Sequence, residues 1–157
     1  LVAIKRIAVG VDDSDGSQHA LSWAADFAKS LDAQILAVHV VPESWLLELN
    51  AFQLKTDELV AAQRAKLVGE WTDVLRKHGV GHSTEFVDGN PPTELLRIAQ
   101  EHHADLIVVG GSRHHGLRRD ALLGHTAHRV VNHSTVPVVV VPIPADGTEA
   151  DWVPIPG

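Results

Sequence analysis

The residues best suited to chemistry lie in one stretch, 108–126, reading VVGGSRHHGLRRDALLGHT. An apolar run ends at Gly110 and Gly111. A basic loop follows, with Arg113, His114, His115, Arg118 and Arg119 set against Asp120 alone. Gly124, His125 and Thr126 then open a segment with helical spacing. A strand that enters a glycine turn ahead of a helix is where α/β folds take up phosphate. The first N–H groups of a helix have no partner within it, and the helix dipole favours an anion there. The plain alternative is a solvated surface loop. Local positive charge in a chain of formal net charge −7 favours the anion site.

Two further groups invite a chemical reading. Asp12 and Asp13 follow an apolar run and could hold Mg²⁺ together with phosphate; equally, acidic residues at a strand end simply begin a turn. His114, His115, His125 and His128 are numerous enough for a Zn²⁺ or Ni²⁺ site. No carboxylate or cysteine stands at a recognisable ligand spacing, so solvation or phosphate contact is the expected role. Catalysis has little support. There is neither a GxxxxGK-S/T phosphate loop nor a GxSxG nucleophile elbow, and any hydrolytic activity is expected to be weak.

The composition bounds the rest. A chain of 157 residues can form one domain with a sizeable core, and 45% hydrophobic with 21% charged residues is ordinary for a globular protein. The negative charge argues against non-specific nucleic-acid binding, which depends on clustered Lys and Arg. Without cysteine there is no disulfide and no thiol nucleophile; this fits a cytoplasmic setting. No apolar run approaches the roughly 20 residues of a membrane span. The opening LVAIKRIAVGVDD is too short and too soon acidic for a signal peptide, and a start at Leu1 suggests a trimmed or processed chain.

The elements that must position these residues alternate. Residues 4–11 read as a buried strand closing on Gly10, Val11 and Asp12, with Ser14 or Asp15 capping the helix that follows. Residues 34–41 form a second strand ending at His39 and Val40. A short helix over the sheet edge is expected within 42–55, then one long helix over 56–78 giving Leu59, Val60, Ala62, Leu67, Trp71, Val74 and Leu75 to the core. Residues 82–87 are a third strand, and Thr93 caps a helix running to His102. Residues 104–110 are a fourth strand, 124–132 a helix, and 136–141, from Val136 to Val141, the fifth strand. Continuous apolar strands separated by helices predict a doubly wound, mainly parallel five-stranded sheet of order 3-2-1-4-5, with helices on both faces. Ligands in such sheets sit at the C-terminal strand ends, where Asp12, Val40 and Gly110–Gly111 converge. The domain is expected to span 1–142. A tail over 143–157, with Trp152 as its anchor, is expected to be extended or partly disordered.

The sequence resembles the universal stress protein family over nearly its whole length. The features are Val11-Asp12-x-Ser14 after strand one, VHVV in strand two, Gly89-x-Pro91, ADLIVVG before the loop, and the closing PVVVVP. Nucleotide-binding members carry Gly-x-x-Gly, nine residues, then Gly followed by Ser or Thr. Gly111 and Gly124 take the first and third glycine places at that spacing; His114 stands at the second, and His125 replaces the hydroxyl. The resemblance implies a stress-response or signalling protein holding ATP or a related adenine nucleotide, with or without Mg²⁺, and without strong catalysis. It places Asp12 beside the ribose or phosphates and the Val40 backbone beside adenine. Gly10, Val11, Gly110 and Gly111 would wall the site, and Arg113, His114, Gly124, His125 and Thr126 would meet the phosphates. It also implies a homodimer through the strand 136–141. The alternative is an interaction module of the same fold that has lost the nucleotide.

Overall fold

In the computed structural model, which describes residues 3–111 and 124–143, the first strand β1 (Arg6–Gly10) is central because its side chains need burial on both faces. Ile7, Ala8 and Val9 are fully buried. The helix α1 (Asp15–Leu31) follows, then β2 (Gln34–Pro42), α2 (Glu43–Ala51), α3 (Thr56–Val68), α4 (Asp73–Lys77), β3 (His82–Gly89), α5 (Pro91–Glu101), β4 (Leu106–Gly110), α6 (His125–His133) and β5 (Val138–Val141). The strands form one sheet of order β3-β2-β1-β4-β5, and every pairing is parallel. One face packs the alanine-rich side of α1 with Leu67, Trp71 and Leu75. The other packs Leu95, Ile98 and Ala99 of α5 with Ala127 and Val130 of α6. The doubly wound, two-faced architecture read from the sequence is the one observed.

Local chemistry sets the boundaries, and it corrects several expectations. Ser14 caps α1: its hydroxyl accepts from the Ser17 N–H at 3.2 Å. The cap of α5 is Asn90, not Thr93. The Asn90 carboxamide oxygen accepts from the Thr93 N–H, and Pro91 and Pro92 occupy the first turn, where no N–H is missed. The single helix expected over 56–78 is broken. α3 stops at Gly69, the Thr72 hydroxyl donates to the Leu67 carbonyl at 2.7 Å, and α4 restarts for five residues. Of the core residues expected from that segment, Leu67, Trp71 and Leu75 are buried, whereas Leu59 and Ala62 lie on the exposed side of α3. α2 is the short helix expected, yet it buries Leu49 alone and leaves Leu47 68% exposed. β5 begins at Val138 rather than Val136. The Pro137 carbonyl still accepts from the Ile107 N–H, but proline has no N–H with which to extend the ladder. The residues of the tail beyond Ile143, Trp152 included, lie outside the described residues.

Candidate functional site

The sheet order places the switch point between β1 and β4, where the connections leave in opposite directions. A cavity of about 660 Å³ opens there, at the C-terminal strand ends. Gly10, Val11 and Asp12 form one wall, Val40 another, and Gly110 and Gly111 a third; Gly124, His125 and Thr126 close it from the start of α6. The structure thus brings together nine of the residues singled out in the sequence. The remaining two, Arg113 and His114, lie outside the described residues.

Glycine lets these walls approach each other. A Cβ on Gly110 would lie 2.5 Å from the Gly16 carbonyl oxygen, and one on Gly16 would lie 2.5 Å from the Gly111 carbonyl oxygen. The beginning of α1 therefore seats directly on the end of β4. Gly124 occupies the N-cap of α6 and supplies no side-chain acceptor, and the first turn of that helix carries no carboxylate. Its leading N–H groups face the cavity end without a side-chain cap, which is the arrangement that favours an anion.

The structure separates the two aspartates. Asp12 turns back on its own loop, where its Oδ1 accepts from the Ser14 N–H at 2.8 Å and its backbone N–H donates to the Ser17 hydroxyl at 2.8 Å. Its second carboxylate oxygen has no protein partner among the described residues. Asp13 is engaged at both oxygens: it accepts from the Trp71 indole N–H at 3.1 Å and from Lys66 at 3.3 Å. Those bonds, the indole's first, hold its carboxyl below the usual value of 3.8. Mg²⁺ is commonly held by one or two carboxylates plus phosphate oxygens, so Asp12 fits such a role and Asp13 does not. Among the described residues no three potential metal ligands gather.

Several walls were not legible in the sequence. Trp45 of α2, Gln63 of α3, Trp71, Pro91 and Leu95 all line the cavity. Trp45 lay in a stretch whose apolar side chains read as packing, and Trp71 read as core. Gln63 sits in a helix with no clear apolar stripe, where a lone amide carries no signal. His39 was placed at a strand end but given no role. It is buried, with its ring against Trp71 and Phe86.

The family model described as the universal stress protein family matches residues 3–142. Universal stress protein MJ0531 of Methanocaldococcus jannaschii is 35% identical over 149 residues, which cover 89% of this chain and 83% of that protein. Among solved structures, the universal stress protein UspA from Lactobacillus plantarum is similar at 27% identity with a TM-score of 0.72, covering 90% of this chain and 99% of that one. A universal stress protein solved in complex with cAMP shares the fold at 23% identity and a TM-score of 0.68, covering 90% of this chain and 98% of that one. The chain belongs to the universal stress protein family.

Proposed function

We propose that the chain binds an adenine nucleotide, ATP or a relative, and serves in a stress response or in signalling without strong catalysis. The observation that carries the reading is the cavity itself. Its walls are largely apolar near Val40 and Trp45, which suits a base; at the other end, glycines and an uncapped helix start suit phosphate. The fold neighbour solved with cAMP supports the reading at the level of the fold. In this reading the Val40 backbone meets adenine and Asp12 the ribose or a phosphate-bound Mg²⁺. Gly10, Val11, Gly110 and Gly111 admit the phosphates, while Gly124, His125 and Thr126, with Arg113 and His114 from the loop, bind them. The protein acts as a homodimer through β5.

A second reading, an interaction module without nucleotide, is favoured by one observation: histidine at positions 114 and 125, where nucleotide-binding members carry glycine and a hydroxyl. One experiment separates the two. The protein is purified without added nucleotide and denatured, and its supernatant is examined by mass spectrometry. The emptied, folded protein is then titrated with ATP and with cAMP by calorimetry. Binding of one equivalent per chain below millimolar concentration is expected. Flat titrations of folded protein, with no copurified nucleotide, would establish the interaction module instead.

A further inference from the structure

We propose that Gln63 is the residue by which the cavity reads the exocyclic group of a bound purine, and that His39 fixes which face of the Gln63 amide the ligand meets. The proposal rests on the nucleotide reading and deepens it.

The His39 ring is 6% exposed and wedged between Trp71, 4.9 Å away between ring centroids, and Phe86, at 5.4 Å. Its Nδ1 lies 2.7 Å from the Val11 carbonyl oxygen, and its Nε2 lies 2.8 Å from Gln63 Oε1. A carbonyl only accepts, so Nδ1 carries the proton and donates to Val11. In its neutral form the ring then offers a bare Nε2, which accepts. Gln63 Oε1 set against a bare Nε2 would oppose two acceptors, so the amide is assigned the other way round, its NH₂ toward the ring; the two ends of an amide are alike in shape and the hydrogen-bond network decides between them. The carbonyl end of Gln63 is then the free end, at the amide position for which no hydrogen bond is found among the described residues.

Gln63, His39 and Val40 line the same cavity. The ligand therefore meets an acceptor held in a fixed orientation. An amino group at position 6 of a purine donates to it, whereas an oxo group there sets two lone pairs against each other and leaves both unsatisfied. The site should thus prefer adenine to hypoxanthine. Gln63 is a specificity residue and His39 a positioning residue that acts through it.

The test is calorimetric titration of the full chain, stripped of nucleotide, with ATP and with ITP. Wild type is expected to bind ATP about tenfold more tightly than ITP. Gln63→Leu should bring that ratio near one, and Gln63→Glu, which can only accept, should keep it. The ratio is insensitive to a general loosening of α3, which would weaken both ligands alike. Nitrogen NMR of wild type, which needs no variant, should find the His39 proton on Nδ1 and not on Nε2. A wild-type ratio near one, a ratio unchanged in Gln63→Leu, or a proton on His39 Nε2 overturns the assignment of Gln63 while the nucleotide reading stands. If wild type binds neither nucleotide, the nucleotide reading itself falls and this proposal falls with it.

Discussion

Asp13 shows how one carboxylate can be taken out of chemistry by its neighbours. The indole N–H of Trp71 and the ammonium of Lys66 both donate to it, across sequence separations of 58 and 53 residues. Each bond favours the charged form, so the carboxyl titrates below its ordinary value. The sign of the linkage follows. A lowered folded-state pKa means that the contact is at full strength above about pH 3.8, the ordinary value, and is lost as pH falls through the lowered one. Trp71→Phe removes the largest cause and keeps most of the ring. Asp13 should then titrate closer to 3.8 in a carboxyl-detected NMR experiment. An Asp13 curve identical to wild type would show that the indole bond is not the cause. In the sequence the two aspartates were indistinguishable, because what separates them is a tryptophan far along the chain. The Asp13 contact itself adds little to global stability, since the Asp13 side chain is well exposed.

Between elements, the contact that shapes the site is backbone on backbone. α1 begins so close to the end of β4 that neither Gly16 nor Gly110 has space for a methyl group, and the obstructing atoms are main-chain ones that cannot swing aside. Gly110→Ala should therefore destabilise the fold by about 1–3 kcal/mol in urea unfolding, because overpacking forces a backbone shift. Gly81→Ala is the control. Its Cβ would meet only the flexible Gln34 side chain at 3.6 Å, and a change within about 0.5 kcal/mol is expected. Equal effects at the two positions would mean that the close approach is not what demands glycine at 110. The alternation of strands and helices was legible because each strand is an apolar run bounded by turn residues, and the glycine positions pointed to the correct strand ends. The break at Gly69 was not legible. A helical stripe from Leu59 to Leu75 reads as continuous unless one knows that the Trp71 side chain reaches back to Asp13. The cavity wall contributed by α2 and α3 was hidden for the same reason: Gln63 acquires a role only once His39 lies beneath it.

At the scale of the whole molecule the sheet has two unlike edges. β3 carries Ser83, Thr84, Glu85 and Asp88 among its residues and is partly covered by α3; β5 is four valines, Val138–Val141. An uncharged apolar edge invites pairing with another strand. The register shows which groups are free to pair. Ile107 donates to the Pro137 carbonyl and Gly111 to the Val141 carbonyl, so odd-numbered residues face inward to β4. In a parallel pair both backbone groups of a residue point to the same side, which leaves the N–H and C=O of Val138 and Val140 directed away from β4, at an edge that no other strand among the described residues pairs with. A two-fold partner adding its own β5 would use those groups, and isologous dimers are the commonest assembly. Val140→Pro removes one outward donor and leaves the inner ladder intact, a substitution that edge strands tolerate. In sedimentation velocity, wild type should run at twice the 16.9 kDa chain mass, and Val140→Pro should run as the monomer with its thermal unfolding little changed. A wild-type monomer would end the dimer proposal. A Val140→Pro protein that remained dimeric would move the interface away from this edge, because the substitution strips a hydrogen bond from that edge alone.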